Sequence, residues 1–224
     1  HHAWIVPGRW ADLALRCARG HVLEPSAGLG EKGCRVLRQL SGYGFDFRHW
    51  DVGMNYTVWG VQALEARELL DDLLTPQDRA RLDAFVDRLL AAVRENDRLW
   101  VEKEPGGALN NHYAWHKLCL VAVGLLRGRS DLVEDALRGP KGVEVLMEHG
   151  FRDDGLWLEG SIPYQFAATH PLVRIAELLE NAGYPSRLWD RASGDGRSLE
   201  DAHAALIPLL MPDRRLPAIG DCYG

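Results

Sequence analysis

Apolar residues recur at three- and four-residue spacings along most of this chain, which predicts helices rather than strands. A first helix is expected over roughly 9–19, around Trp10, Leu13 and Leu15. Residues 56–74 (YTVWGVQALEARELLDDLL) form an amphipathic stretch. The next segment, TPQDRARLDAFVDRLLAAVREN, opens on Thr75 as a cap, Pro76 in the first turn and Asp78 near the positive helix end. Residues from about 107 to 127 make an oily helix that Gly128 can end. It is apolar nearly all round from Leu118 to Leu126, so it belongs inside an array with neighbours on most sides. Ser130 caps a short helix, GVEVLMEHG is another, and SIPYQFAATHPLVRIAELLENAG gives one or two, bent or broken near Pro171 and ended by Gly183. The last, 198–211, carries a kink risk at Pro208. RLWVEKEP and GLWLEG are candidates for short extended pieces, and glycine-rich loops are expected at 27–33, 104–107, 155–160 and 192–197. Helix, short loop, returning helix is the recurring theme, so the expected fold class is all-α, built of antiparallel helix pairs.

Composition narrows the function classes. The chain has 224 residues, 46% hydrophobic and 26% charged, which suits a globular domain with a large core. No run of eighteen apolar residues predicts a membrane span. A net charge of −6 argues against broad nucleic-acid binding, so an acidic ligand must be met by a local cluster of donors. Cys17, Cys34, Cys119 and Cys222 show no CxxC or zinc spacing, and Cys119 reads as a core thiol. Both ends look cut, which suggests a piece of a longer protein, and export is not judged from it.

The polar residues at the mouth of the oily helix are the conspicuous feature. NNHYAWH puts Asn110, Asn111, His112 and His116 where the chain is about to be buried. His112 and His116 are four apart and share a helix face. Helix capping with a buried, satisfied histidine explains this pattern in part. Zinc binding by the pair lacks both the Glu of HExxH and a third ligand, so no metal or other cofactor is expected. The stretch RDDGLWLEGSIPYQF (152–166) combines acids, Glu159, Ser161 and Tyr164. By itself it reads as a turn with Ser161 capping a helix.

Taken in order, NNHYAWHKLCLVAVGLLRG, DDGLWLEGSIPYQFAATHPLVRIAELL and LPAIGDCYG resemble the helical domain of heparinase II/III-like polysaccharide lyases, a group that includes alginate and oligoalginate lyases. The resemblance is strongest over about 105–222. It implies an incomplete (α/α) toroid over 1–215, a linker starting at 216–224, and a β-sandwich domain beyond it in the full-length protein. It also implies that Asn111 and His112 neutralise a substrate carboxylate and that Tyr164, fifty-two residues after His112, transfers protons. The resemblance departs at Gln165, where many relatives carry histidine. A further catalytic His or Tyr in such lyases usually comes from the β-sandwich, which leaves this piece expected to be incomplete as a catalyst.

The implied chemistry suits these residue types. A lyase removes the C5 proton of a 4-linked uronate and expels the C4 oxygen. Charge then builds on the carboxyl group, and fixed donors stabilise it. Asn111 offers an amide N–H and His112 a ring N–H. A free tyrosine, with a pKa of about 10, needs a nearby cation to act as a base. His112, His116, His170 and Arg48 are candidates for that cation. Trp115 is expected to stack on sugar. His116, Arg48, His49, Asn55, Glu159 and Gln165 complete the substrate-binding candidates, and Asn55-Tyr56-Thr57 also matches an N-glycosylation sequon. The expected partner is an acidic polysaccharide or oligosaccharide, alginate-like or glycosaminoglycan-like. A polymer substrate favours a secreted or periplasmic setting, an oligosaccharide a cytoplasmic one. Two competing readings are a glycoside hydrolase, for which Asp153, Asp154 and Glu159 would supply the two carboxyl groups, and a non-catalytic carbohydrate-binding helical domain.

Overall fold

A computed structural model of the protein describes residues 2–25, 27–45, 52–103, 108–185, 188–190 and 198–220. Its elements are α1 (His2–Leu23), α2 (Ala27–Leu40), α3 (Val52–Leu69), α4 (Pro76–Lys103), α5 (Asn111–Arg127), α6 (Ser130–Arg138), α7 (Val143–His149), α8 (Ile162–Asn181) and α9 (Leu199–Ala204), with 3-10 turns at Asp71–Leu73 and Ile207–Leu209. Among the described residues there is no strand, only an isolated bridge between Phe151 and Trp157. The all-α expectation therefore holds. No described helix is long and apolar enough to cross a membrane. The chain divides into two compact units, His1–Lys103 and Glu104–Gly224.

In the first unit α1 and α3 run in the same direction. Gly8 lies against Trp59, and eleven residues on, Arg19 pairs with Glu65 at 2.6 Å. α2 runs back along α1, since Gly33 meets Cys17 and Gly20 meets Leu29. α4 runs back along α3: Gly53 N–H donates to Asn96 at 2.9 Å, Gly60 abuts Leu89, and Arg67 pairs with Asp83 at 2.7 Å. This alternation of parallel helices with antiparallel returns is consistent with the helix pairs of an (α/α) toroid.

Two sequence expectations fail in this unit for packing reasons. Residues 27–33 are not a loop but the first half of α2. A Cβ on Gly30 would come within 2.4 Å of Leu73, and one on Gly33 within 2.6 Å of Leu70. The glycines let Leu70 and Leu73 close on the helix, and the full burial of Leu70 offsets their poor helix propensity. Residues 98–103 of RLWVEKEP are not extended either, since α4 continues through Lys103; the last two lie outside the described residues. Arg98 pairs with Glu95 and Glu102, three and four residues away on one helix face. The start of α4 is as expected. Asp78 N–H donates to Thr75 Oγ1 at 3.1 Å, and Thr75 N–H donates back to Asp78 Oδ2 at 3.2 Å. Asp78 also accepts two bonds from Arg38, at 2.8 and 3.0 Å, and is 4% exposed.

The second unit repeats the plan around α5. Twelve of its seventeen residues are buried, which makes it an inner helix. It ends at Gly128, whose φ of 62° suits glycine. α6 returns along it: Gly124 lies against Val133, and Lys141 Nζ donates to Ala108 O at 3.2 Å. α8 then runs in the same direction as α5. Glu159, just before α8, bonds Asn111 at the start of α5, and His170 stacks on Trp115 one turn further along. α8 is a single helix through Pro171, not two. It buries Ala168, Thr169, Leu172, Ile175, Ala176 and Leu179 as one stripe, which holds the turn that proline weakens. The expected 198–211 helix stops at Ala204 and gives way to the 3-10 turn containing Pro208. Within the segment expected to open a linker, Ile219 O accepts from Ile162 N–H, and Gly220, at φ 74°, lies against Ser161.

Candidate functional site

The mouth of α5 is built from its own cap and from the segment that precedes α8. Asn110 is the N-cap, and its side chain accepts from His112 N–H at 3.0 Å. Asn111 N–H, the next orphan donor, goes to Glu159 Oε2 at 2.8 Å. The same oxygen accepts from Asn111 Nδ2 at 3.0 Å and from the Trp157 indole N–H at 2.6 Å. One carboxylate oxygen thus gathers three N–H groups at a helix N-terminus, where negative charge is favoured. Among the described residues, the Asn111 side chain makes no other hydrogen bond than this one.

Trp157 is itself held from three sides. It is 1% exposed, sits edge-on to Phe151 at 5.1 Å, and occupies space that only a glycine at 150 leaves open. Its backbone N–H donates to Gln165 Oε1. Gln165 Nε2 donates to Ala202 O of α9 at 2.8 Å and more weakly to Gly155 O at 3.3 Å. Gln165 is 1% exposed, and both ends of its amide are engaged. Its role in this structure is to hold the 155–157 turn between α8 and α9, not to offer a free amide to a ligand.

The other candidates are distributed as follows. His112 is half-buried and its ring lies 6.3 Å from that of His116. His116 is fully buried. Tyr164 is half-buried in the first turn of α8. One face of Trp115 is already covered by the His170 ring, at 5.5 Å and 20°. Partial burial pushes His170 below the ordinary histidine value, Arg174 adds to this and Glu177 opposes it, so His170 is a poor choice of cation at neutral pH. Ser161 occupies the N-cap position of α8 but makes no side-chain cap bond, and its hydroxyl is buried. Asn55 is in the first unit, half-buried on α3, beside a pocket of about 470 Å3 that Arg9, Trp59 and Gln62 also line. Its sequon sits inside a helix with Tyr56 and Thr57 buried. Arg48, His49 and Cys222 lie outside the described residues. Cys17, Cys34 and Cys119 are buried and form no disulfide. Among the described residues no three His, Cys, Asp or Glu side chains come together as a metal site. A pocket of about 560 Å3 in the second unit is lined by Arg152, Asp153, Asp154 and Asp201, and not by Asn111, His112 or Tyr164.

The 152–166 stretch also holds Trp157, to which the sequence assigned no role; it is core, and its indole N–H also serves Glu159. The Trp-x-Glu spacing was the available signal.

An all-α helix-pair protein with a polar cluster where an inner helix begins is the class that fold and site define. Residues 46–215 match the family model described as alginate lyase, and the chain belongs to that family. It is also 27% identical over 150 residues to an alginate lyase of Stenotrophomonas maltophilia (strain K279a), over 65% of this chain and 19% of that protein. The chain thus spans about a fifth of the length of that relative.

Proposed function

We propose that this chain is the helical part of a polysaccharide lyase, related to the heparinase II/III-like lyases, that cleaves a 4-linked uronate by β-elimination. The observation that carries the reading is the parallel pairing of α5 and α8. Their first turns hold Asn111 and His112 on one helix and Tyr164 on the other, and Glu159 ties the two starts together. Family membership supports an alginate-like substrate.

In this reading Asn111 and His112 donate to the uronate carboxylate. Tyr164, as the phenolate, takes the C5 proton and becomes the neutral phenol, the C–H electrons form the C4–C5 double bond, and the C4–O bond breaks with its electrons leaving on oxygen. That oxygen then takes a proton, from Tyr164 if base and leaving group share a face of the sugar. Each fixed donor contributes roughly 3 kcal/mol to lowering the barrier, by analogy with oxyanion holes. A further catalytic group from another domain of the intact protein fits the same scheme. The test is incubation of the intact protein with a panel of uronate polysaccharides. The expected result is an ultraviolet-absorbing unsaturated uronate at the new non-reducing end. Products that have instead gained water, or no cleavage of any uronate by a well-folded sample, would overturn the proposal.

A further inference from the structure

We infer that Glu159 is the positioning residue for Asn111: it fixes which edge of the Asn111 amide is presented to a uronate carboxylate. This rests on the role of Asn111 proposed above and replaces the expectation that Glu159 itself binds substrate.

The two ends of an asparagine amide differ only by oxygen and nitrogen, so its orientation is set by its partners. An ionised carboxylate only accepts hydrogen bonds. Glu159 Oε2, 3.0 Å from the Asn111 side chain, therefore forces Nδ2 to face it and turns Oδ1 away. One amide hydrogen is spent on Glu159. The other has no acceptor among the described residues and is the N–H that Asn111 offers to a ligand. Without Glu159 no other partner among the described residues fixes which edge of the amide faces the ligand.

Glu159 is held for this task. Its acceptor oxygen is fixed by the Asn111 backbone N–H at 2.8 Å and by the Trp157 indole at 2.6 Å. Trp157 is seated by Gln165, which is anchored on Ala202. The polar groups of WLEGSIPYQ thus form a relay from α9 to the mouth of α5.

The test compares Glu159→Ala, Glu159→Asp and Glu159→Gln with Asn111→Ala in the intact protein on a cleaved uronate polymer, with kcat and KM measured separately and the folded fraction checked. Removing the acceptor (Ala) or shortening its arm (Asp) is expected to lower kcat about 100-fold, the usual cost of a misplaced group, with little change in KM. Gln keeps an oxygen that can accept all three bonds, so it should recover most of kcat. Gln as inactive as Ala would overturn the inference and make the charge itself catalytic. A rise in KM alone would overturn it in favour of substrate binding, and wild-type kcat per folded molecule in both Ala and Asp would reduce Glu159 to a helix cap. Should Ala fail to fold, the Asp and Gln pair decides alone. If Asn111→Ala retains wild-type kcat, the proposed function is what has failed. If Asn111→Ala is inactive while Glu159→Asp is fully active, only the positioning role has.

Discussion

Replacing Gln165 with methionine separates its structural task from a substrate contact. Methionine keeps the length and unbranched shape of the side chain and removes its polar ends. Gln165 is 1% exposed, so no water replaces what is lost. The Trp157 N–H and the Ala202 carbonyl would each be left in the interior without their present partner. Each such group costs about 1–3 kcal/mol. The bond to Gly155 O, at 3.3 Å to a half-buried residue, adds little. The apolar gain of the methionine offsets part of the loss, on the order of 1 kcal/mol. The net expectation is about 3 kcal/mol of destabilisation. For a protein of this size that is roughly 6–12 °C in Tm. Thermal unfolding followed by far-ultraviolet circular dichroism measures it, and kinetics on the same sample should show KM near the wild-type value. A Tm within about 2 °C of wild type together with a several-fold rise in KM would refute the reasoning. Gln165 would then be facing the sugar and not the turn.

Other outcomes follow from the same geometry. Asp78→Asn should cost about 2 kcal/mol at neutral pH, because it weakens charge-assisted bonds to Arg38 in a largely buried setting. The Arg38 guanidinium, aided by Thr75 and opposed by burial, holds the Asp78 carboxyl well below the usual carboxylate range. Its contribution is therefore fully present above about pH 4, the unfolded value, and is lost as pH falls through the lower folded value. Denaturation midpoints of wild type and variant should converge on acidification, and a constant gap down to the acid limit would contradict this. Asn110→Ala removes the α5 cap and should cost about 1 kcal/mol by denaturant titration, with no loss expected if the His112 N–H bond is not formed in solution.

The helical framework was legible because burial here follows helix periodicity. The α8 stripe and the all-round burial of α5 were both visible as spacing. α2 was not, because its first half reads as a glycine loop until Leu70 and Leu73 are brought against it. That contact joins residues about forty apart, and local propensity carries no trace of it. The end of α4 was misjudged for the opposite reason: tryptophan and valine favour strands locally, while the Arg98 pairs favour helix. At the proposed site, Asn111, His112 and Tyr164 were singled out by the order of short motifs. The partners that fix them did not. That Glu159 serves Asn111, and Gln165 serves Trp157, depends on two helices running side by side in the same direction, which a linear pattern does not encode.

The central claim is that Tyr164 moves the proton while Asn111 and His112 hold the carboxylate. Its most direct measurement is single-turnover cleavage of a uronate oligosaccharide by the intact protein carrying Tyr164→Phe, with binding affinity measured on the same sample. The account predicts affinity close to wild type and a chemical step slowed about 100- to 10,000-fold. A Phe variant that releases unsaturated product at the wild-type rate would contradict it.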